Sequence, residues 1–187
     1  MPLLDTNEGP DHFSLSPSQA KRWLECPGSR FIPDERPPGP AAARGSVLHE
    51  LAANILYDYI GGRVDLGSEE FWNTSPDHAT LRPYIEFCIS LKGDWLIEQK
   101  IQHPKLHNFG GTLDFVALTP QSAYVVDLKT GRHPVSAQNN SQLLSYLTLA
   151  RAEWPSLELF MGVIVQVRPG HQARIDIRTH YQDDLNN

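Results

Sequence analysis

Cysteine is scarce in this chain of 187 residues, which contains only two, Cys26 and Cys88. Two cysteines alone cannot build a disulfide framework or a four-cysteine zinc or iron–sulfur site. We expect both thiols to be reduced and at least one of them to be a small core residue. The scarcity excludes disulfide-stapled folds and directs attention to other functional groups.

Long apolar runs are also missing. No stretch approaches the roughly 20 apolar residues of a membrane-spanning helix, and the start, "MPLLDTNEGPDHFS", lacks the basic and apolar segments of a secretory signal. We therefore expect a cytoplasmic protein without a membrane partner. We interpret this start, residues 1–13, as a flexible lead-in. The length predicts a single domain, which covers residues 14–187.

An excess of basic residues is the third absence. Lysine and arginine together number 16 against 22 aspartates and glutamates, giving a formal net charge of −6. This balance argues against a broad, non-specific grip on nucleic acid. It still allows a locally basic channel, because a bound divalent cation would offset a cluster of carboxylates.

The chain reads as helices followed by a mixture of strands and one further helix. Periodicity, capping residues and turn signals place the elements along the chain. The predicted order is a helix in "LSPSQAKRWLECPGS", an exposed proline-rich loop in "PDERPPGPAAARG", helices in "SVLHELAANILYDYIGG" and "DHATLRPYIEFCISLKGD" with Asp77 as cap, strands in "WLIEQKIQHP", "GGTLDFVAL" and "SAYVVDLKT", a helix in "QNNSQLLSYLTLARAEWP", and two strands in "LELFMGVIVQVRPGHQARIDIRTHY". The fold class is therefore α/β, a mixed sandwich with a central sheet flanked by helices.

Charged residues interrupt two neighbouring strands. Asp127 and Lys129 lie two apart and so share one face of a strand, while Asp114 lies in the strand before it. If Asp114 pairs near Asp127, two carboxylates converge beside a lysine, an arrangement that a divalent ion such as Mg²⁺ or Mn²⁺ stabilises. The alternative is an exposed edge strand with ordinary solvated charges.

Two helices contribute further polar candidates. His49 falls at the edge of an apolar stripe, from where it can reach a site on the sheet, although a hydrogen-bonded boundary histidine is the simpler alternative. Gln142 and Tyr146 lie one helical turn apart on the helix after the lysine strand. Their alternative is a solvated helix face with a half-buried tyrosine.

Two more residues are candidates because of their positions. Glu98, in the strand before Asp114, would either complete the acidic cluster or pair with Lys100 on an open face. Arg132 follows the lysine strand directly, where it would contact a phosphate or belong to a solvated loop.

Five motifs in chain order resemble the PD-(D/E)XK nuclease superfamily, and within it the RecB-like and phage-exonuclease branch. The set spans residues 14–167 and covers most of the chain. The motifs are "SPSQAKRWLECPGSRF", "RGSVLHEL" with Gly45 and His49, "GTLD" with Asp114, "VVDLKTG" with Asp127 and Lys129, and "QLLSY" with Gln142 and Tyr146.

The resemblance implies a restriction-endonuclease-like fold, with a central mixed sheet in an α-β-β-β-α-β core, and a residue for each role. Asp114, Asp127, His49 and the backbone carbonyl of Leu128 would hold Mg²⁺ or Mn²⁺, and Lys129 would serve the attacking water. Gln142, Tyr146 and, at the site mouth, Arg132 would contact the substrate. Relatives with an iron–sulfur cluster use additional late cysteines that this sequence lacks, so we expect no such cluster and expect Cys26 to pack in the core.

The implied activity is that of a metal-dependent DNA exonuclease of phage or prophage type, acting in recombination or end processing in a bacterial host. Implied partners are DNA with a free end, a single-strand annealing protein or recombinase, and further copies of the chain in a ring. A structure-specific or nicking endonuclease with the same site is the second interpretation. The third is a catalytically idle DNA- or protein-binding module that retains the fold.

Overall fold

The computed structural model describes residues 13–32, 37 and 39–181. Residues 1–12 of the expected flexible lead-in lie outside this part. Phe13, the last residue of the expected lead-in, is instead buried. Its ring lies so close to Gly110 that a Cβ on Gly110 would be 2.5 Å from the ring. Phe13 therefore packs against the sheet, at Gly110.

One sheet of five strands forms the centre of the domain, in the order β1-β2-β3-β4-β5. The first three strands are antiparallel neighbours, β3 and β4 are parallel, and β4 and β5 are antiparallel. The strands are β1 (Asp94–Gln102), β2 (Gly110–Leu118), β3 (Ser122–Lys129), β4 (Leu159–Gln166) and β5 (Arg174–Tyr181). The expected fold class is confirmed: an open mixed sheet flanked by helices, consistent with a restriction-endonuclease-like fold.

Helices precede the sheet and connect its two parallel strands. They are α1 (Ala20–Glu25), α2 (Pro40–Ile60), α3 (Glu69–Trp72), α4 (Pro76–Ser90) and α5 (Ser141–Glu153), with short 3₁₀ helices at Pro17–Gln19 and Pro27–Phe31. Within the described residues no helix combines the length and the apolar character needed to cross a bilayer.

Helix α2 begins earlier than expected. The predicted proline-rich loop over residues 33–45 is helical from Pro40, because proline fits the first helical position and the alanines that follow favour a helix. Of that loop, residues 33–36 and 38 lie outside the described part. The extra turn places Gly45 inside α2, one turn before His49.

The cap of α4 also differs from the prediction. Ser75, not Asp77, is the N-cap, and its hydroxyl accepts a hydrogen bond from the backbone N–H of His78. Asp77 lies in the first turn, where it pairs with Arg44 of α2. Serine caps well because its short side chain reaches the free N–H groups of the first turn.

Each face of the sheet packs against different helices. The face toward α2 and α4 carries the buried residues Ile97, Phe115, Ala117, Val126, Leu128, Val163 and Val165. The face toward α5 carries Ile101, Leu113, Val116, Ala123, Val125, Phe160 and Ile164. The expected packing of Val126 and Leu128, opposite in direction to Asp127 and Lys129, is thus confirmed.

The two cysteines have different surroundings. Cys88 is buried in the α2/α4 core, as expected for at least one cysteine. Cys26 is exposed, so the expectation that it packs in the core is wrong. It lies at the junction between α1 and the following 3₁₀ helix, where Trp23 packs against the α5 core instead.

Candidate metal centre

Strands β2 and β3 bring the two aspartates of the sequence motifs to adjacent positions. Their pairing ends at Phe115 opposite Val126, so the next antiparallel position places Asp114 beside Asp127. There the ladder is replaced by a side-chain contact: Asp114 Oδ2 accepts a hydrogen bond of 2.8 Å from the backbone N–H of Leu128.

Helix α2 places an imidazole over Asp114. His49 Nδ1 lies 3.1 Å from Asp114 Oδ1, and its side chain keeps 30% of its surface exposed. Burial opposes protonation of His49, but the hydrogen bond to Asp114 and the charges of Asp114 and Asp127 outweigh it and raise the pKa of His49. The prediction that His49 reaches the sheet is confirmed.

Glu98 joins this pair from β1 through an unusual backbone conformation. Its φ is +50°, a left-handed value that costs a non-glycine residue energy. The β1–β2 ladder pairs the residues on either side but not Glu98 with Asp114. Ile97 packs toward α2 and α4 whereas Ile101 packs toward α5, although residues four apart in a regular strand share a face. The irregularity therefore separates Glu98 from the regular sheet.

His49, Glu98 and Asp114 form one compact group of donor atoms. One nitrogen or oxygen from each lies within 4.8 Å of the others. Burial, together with the charge of Asp114, raises the pKa of Glu98 to about 7. Two carboxylates and one imidazole are a donor set suited to a divalent ion such as Mg²⁺ or Mn²⁺. The residues present therefore fit a divalent cation.

A second polar group lies on the side of β3 that faces α5. Lys129 Nζ is 2.7 Å from Asp127 Oδ2 and donates to Gln142 Oε1 at 2.9 Å. Gln142 Nε2 in turn donates to Asp127 Oδ1 at 3.2 Å. This closed triangle confirms that Asp127 and Lys129 project together and that Gln142 of α5 reaches them.

Asp127 is 4% exposed. The pKa of Asp127 is raised above its usual value. Burial is the main cause and the charge of Asp114 adds to it, whereas the charge of Lys129 acts in the opposite direction. The two groups are thus electrostatic neighbours, but Asp127 is not part of the three-residue donor group described above. The structure brings His49 to Asp114 and Lys129 to Asp127, and it adds Glu98 to the first pair.

The remaining predicted site residues lie around these two groups. Tyr146 is buried on α5 at 8% exposure, where burial raises its pKa. The position of the Cβ that a larger residue would have at Gly111 of β2 is 3.4 Å from the ring of Tyr146, so Tyr146 packs against this strand at van der Waals distance. Leu128 has its peptide at Asp114, as described, and its side chain in the core. Arg132 is exposed in the loop after β3.

An open groove runs along α2 to the donor group of His49, Glu98 and Asp114, which we call the metal-type group. Its volume is about 640 Å³, and its lining includes Gly45, Ala53, Asn54 and Tyr57 as well as His49 and Glu98. Because several of these residues are small, the surface of α2 is accessible up to His49. The groove offers an approach for a ligand to the three donor residues, and sequence reasoning did not identify it.

The chain matches the protein family described as "Protein of unknown function (DUF2800)" over residues 12–178. The match spans most of the chain, which therefore belongs to this family. The matched range includes both polar groups and every strand up to Arg178 of β5.

Proposed function

We propose that the protein is a divalent-metal-dependent deoxyribonuclease of the PD-(D/E)XK superfamily, in its RecB-like branch, and that it acts as an exonuclease. The observation that carries the proposal is the adjacency of a metal-type donor group on β2 and, on β3, a buried aspartate paired with a half-buried lysine. Phosphodiester hydrolysis needs both positive charge at the phosphate and a positioned water. The metal-type group would supply the positive charge by holding a cation, and Lys129 beside it would position the water.

His49, Glu98 and Asp114 would hold the divalent ion. When bound, the ion supplies positive charge for the phosphoryl oxygens and acidifies nearby water. The hydrogen bond from the Leu128 N–H fixes one oxygen of Asp114, which leaves its other oxygen facing His49. The family resemblance also assigns Asp127 and the Leu128 carbonyl to the ion, and both assignments remain part of the proposal.

Lys129 would orient the attacking water and stabilise negative charge on the phosphate. Its ammonium is held in place by Asp127 and Gln142, so it requires little reorganisation when the substrate arrives. The ammonium of Lys129 is therefore a hydrogen-bond donor at a fixed position, unlike the ammonium of a lysine that is free to move on the surface. Tyr146 supports Gln142 on the same helix, and Arg132 at the exposed loop would contact the DNA backbone.

An exonuclease must recognise a DNA end. The groove along α2 would receive the strand, with its reacting phosphate at His49 and Glu98. Assembly of several copies into a ring would keep the substrate bound, and a recombinase or annealing protein would take the product strand. Light scattering that finds a fully active monomer would remove the ring from this proposal.

Digestion of labelled DNA tests the activity. We expect linear duplex or single-stranded DNA to be degraded with Mg²⁺ or Mn²⁺ and to remain intact with a chelator. Covalently closed circles and end-blocked linear DNA should survive. Cleavage of circles would replace the exonuclease assignment with an endonuclease that uses the same site, and binding without cleavage of any DNA would indicate an idle module.

Matched variants identify the site responsible. Asp114→Asn and Lys129→Met should each abolish most of the cleavage. The controls are Asp94→Asn and Lys21→Met, because both residues are exposed and lie outside the two polar groups. Cleavage that persists in the first pair would assign the activity to a different site or to a contaminant.

A further inference from the structure

The loop between β3 and α5, residues 130–140, is shaped by a buried glutamine of the neighbouring strand. Gln166 ends β4 and is 4% exposed. Its Nε2 donates to the backbone oxygens of Gly131 and His133, both at 2.7 Å. Its Oε1 accepts a hydrogen bond of 3.1 Å from the N–H of Val135. One side chain therefore supplies two donors and one acceptor to a single loop, which fixes the path of that loop.

A carboxylate of β5 holds the next part of the loop. Asp176 Oδ2 accepts hydrogen bonds from Ser136 Oγ at 2.8 Å and from the N–H of Ala137 at 2.9 Å. Asn140 then donates to the oxygen of Ser136 at 3.0 Å, and its Oδ1 caps α5 by accepting from the N–H of Leu143 at 2.9 Å. The contacts are continuous from the end of β3 to the first turn of α5.

Both ends of this loop lie at the proposed active site. Lys129 is directly before it and is anchored through its backbone oxygen, which accepts from Val167 at 2.8 Å. Gln142 follows the loop within the first turn of α5 and contacts Lys129 and Asp127. The shape of the loop therefore sets where Gln142 meets the lysine.

We propose that Gln166 and Asp176 are positioning residues for the reaction. They hold the loop so that Gln142 fixes the ammonium of Lys129 beside Asp127. Neither residue has a contact with the metal-type group, so they act on the lysine half of the site alone. The expected effect on kcat rests on the proposed function. A small displacement of a reacting group lowers a rate strongly. The structural coupling between the loop and Gln142 does not depend on the proposed function.

A kinetic experiment uses a nearly isosteric variant. Gln166→Glu keeps the shape and the acceptor oxygen but loses both N–H donors. The matched control is Gln102→Glu at the exposed end of β1. We expect kcat for linear DNA to fall about 10-fold with KM and Mn²⁺ affinity changed less than about twofold, in line with a displaced catalytic group. An unchanged kcat in the folded variant would overturn the proposal.

A buried carboxylate can prevent folding, so Asp176→Ala provides a second variant. It removes the two contacts of Asp176 with the loop, those to Ser136 and Ala137, while its position on the edge strand leaves the core intact. We expect the same pattern, a lower kcat with little change in KM. A raised KM with unchanged kcat would show that the loop serves only substrate binding and would refute the positioning role.

A double-mutant cycle tests the coupling without any activity. Each of Gln166→Glu and Asp176→Ala is combined with Gln142→Ala, and unfolding constants are measured by denaturant titration. Independent sites multiply their effects to within about twofold. We expect the combined effect to fall short of the product by about fivefold or more, because the loop acts through Gln142. Simple multiplication would refute the proposal even if DNA is cleaved. A wild type that cleaves no DNA removes the proposed function but leaves this cycle decisive for the loop.

Discussion

The α2 side and the α5 side of the site handle charge in opposite ways. On the α2 side, Glu98 and Asp114 share one imidazole, and their donor group contains no permanent cation. On the α5 side, Asp127 has Lys129 as its own permanent cation and Gln142 as a hydrogen-bond donor. The difference indicates that the first side is suited to accept a cation from solution, whereas the second is already neutralised.

Backbone geometry follows the same division. The α5 side is built on regular strand and helix positions, and its side chains meet because alternation and helical spacing direct them there. The α2 side depends on Glu98 in a left-handed conformation. Strain of this kind persists where the surrounding structure enforces it, and it concentrates at functional sites. The backbone strain found among the residues of the two groups is therefore on the metal-type side, at Glu98.

The largest expected effect comes from removing the cation of the α5 side. Lys129→Met should lower kcat about 10²–10³-fold, the usual loss for one preorganised electrostatic group. Mn²⁺ affinity should change less than about threefold, since the donor group on the α2 side is intact. Single-turnover cleavage and calorimetric Mn²⁺ titration separate the two quantities. A larger change of metal affinity, in either direction, would mean that Asp127 holds the ion as strongly as the residues of the α2 side do.

The opposite variant acts on the α2 side. Asp114→Asn should weaken Mn²⁺ binding about 100-fold, the upper end of the 10–100-fold range for outer contacts, because it removes a charged ligand. Asp94→Asn serves as the control in the same titration. The Lys129–Asp127 pair should persist, and the melting temperature should shift little. A metal affinity equal to that of the wild type would exclude Asp114 as a ligand.

Much of the α5 side and of the fold is predictable from sequence. Strand alternation placed Asp127 and Lys129 on one face, and helical spacing brought His49 to the sheet. The conformation of Glu98 is not predictable, because glutamate has no local preference for positive φ and only the tertiary contacts impose it. For the same reason the sequence left open whether Glu98 pairs with Lys100.

Residues whose role depends on distant backbone were also missed. Gln166 looks like one polar residue in the apolar run "VIVQV", and its partners are more than thirty positions away along the chain. The position of Gln166 within this apolar run is the local signal in the sequence, since a polar side chain that is buried with its neighbours requires hydrogen-bond partners. The exposed Cys26 and the Ser75 cap likewise depend on where short helices begin and end, which local patterns define poorly.

A variant at Glu98 tests whether its backbone conformation is strained and whether its carboxylate binds the metal ion. Glu98→Gly should stabilise the fold by about 1 kcal/mol, because glycine adopts positive φ at no steric cost. Mn²⁺ affinity should fall by at least about 10-fold, the lower end of the range for outer contacts, because a carboxylate ligand is lost. Chemical denaturation and metal titration on the same protein measure both. A destabilised variant with unchanged affinity would contradict the assignment of strain and of ligand role together.

The smallest effect is expected at Gly45, on the groove side of α2. A Cβ there would meet Thr130 Oγ1 at 3.4 Å, an ordinary contact, and alanine favours a helix over glycine by up to about 1 kcal/mol. Gly45→Ala should therefore be neutral or slightly stabilising by thermal unfolding. Gly45→Leu should instead raise KM for DNA by filling the groove, with metal affinity unchanged. Equal KM values for the wild type, Gly45→Ala and Gly45→Leu would show that the groove does not bind the DNA substrate.

Spectroscopy of bound Mn²⁺ tests the central claim, that the α2 side is the cation site, most directly. We expect the wild type to bind one ion whose electron spin echo shows coupling to an imidazole nitrogen, shifted on ¹⁵N-histidine labelling. The coupling should vanish in His49→Gln and persist in Lys129→Met. A bound ion without nitrogen coupling, or with coupling that survives in His49→Gln, would contradict the account.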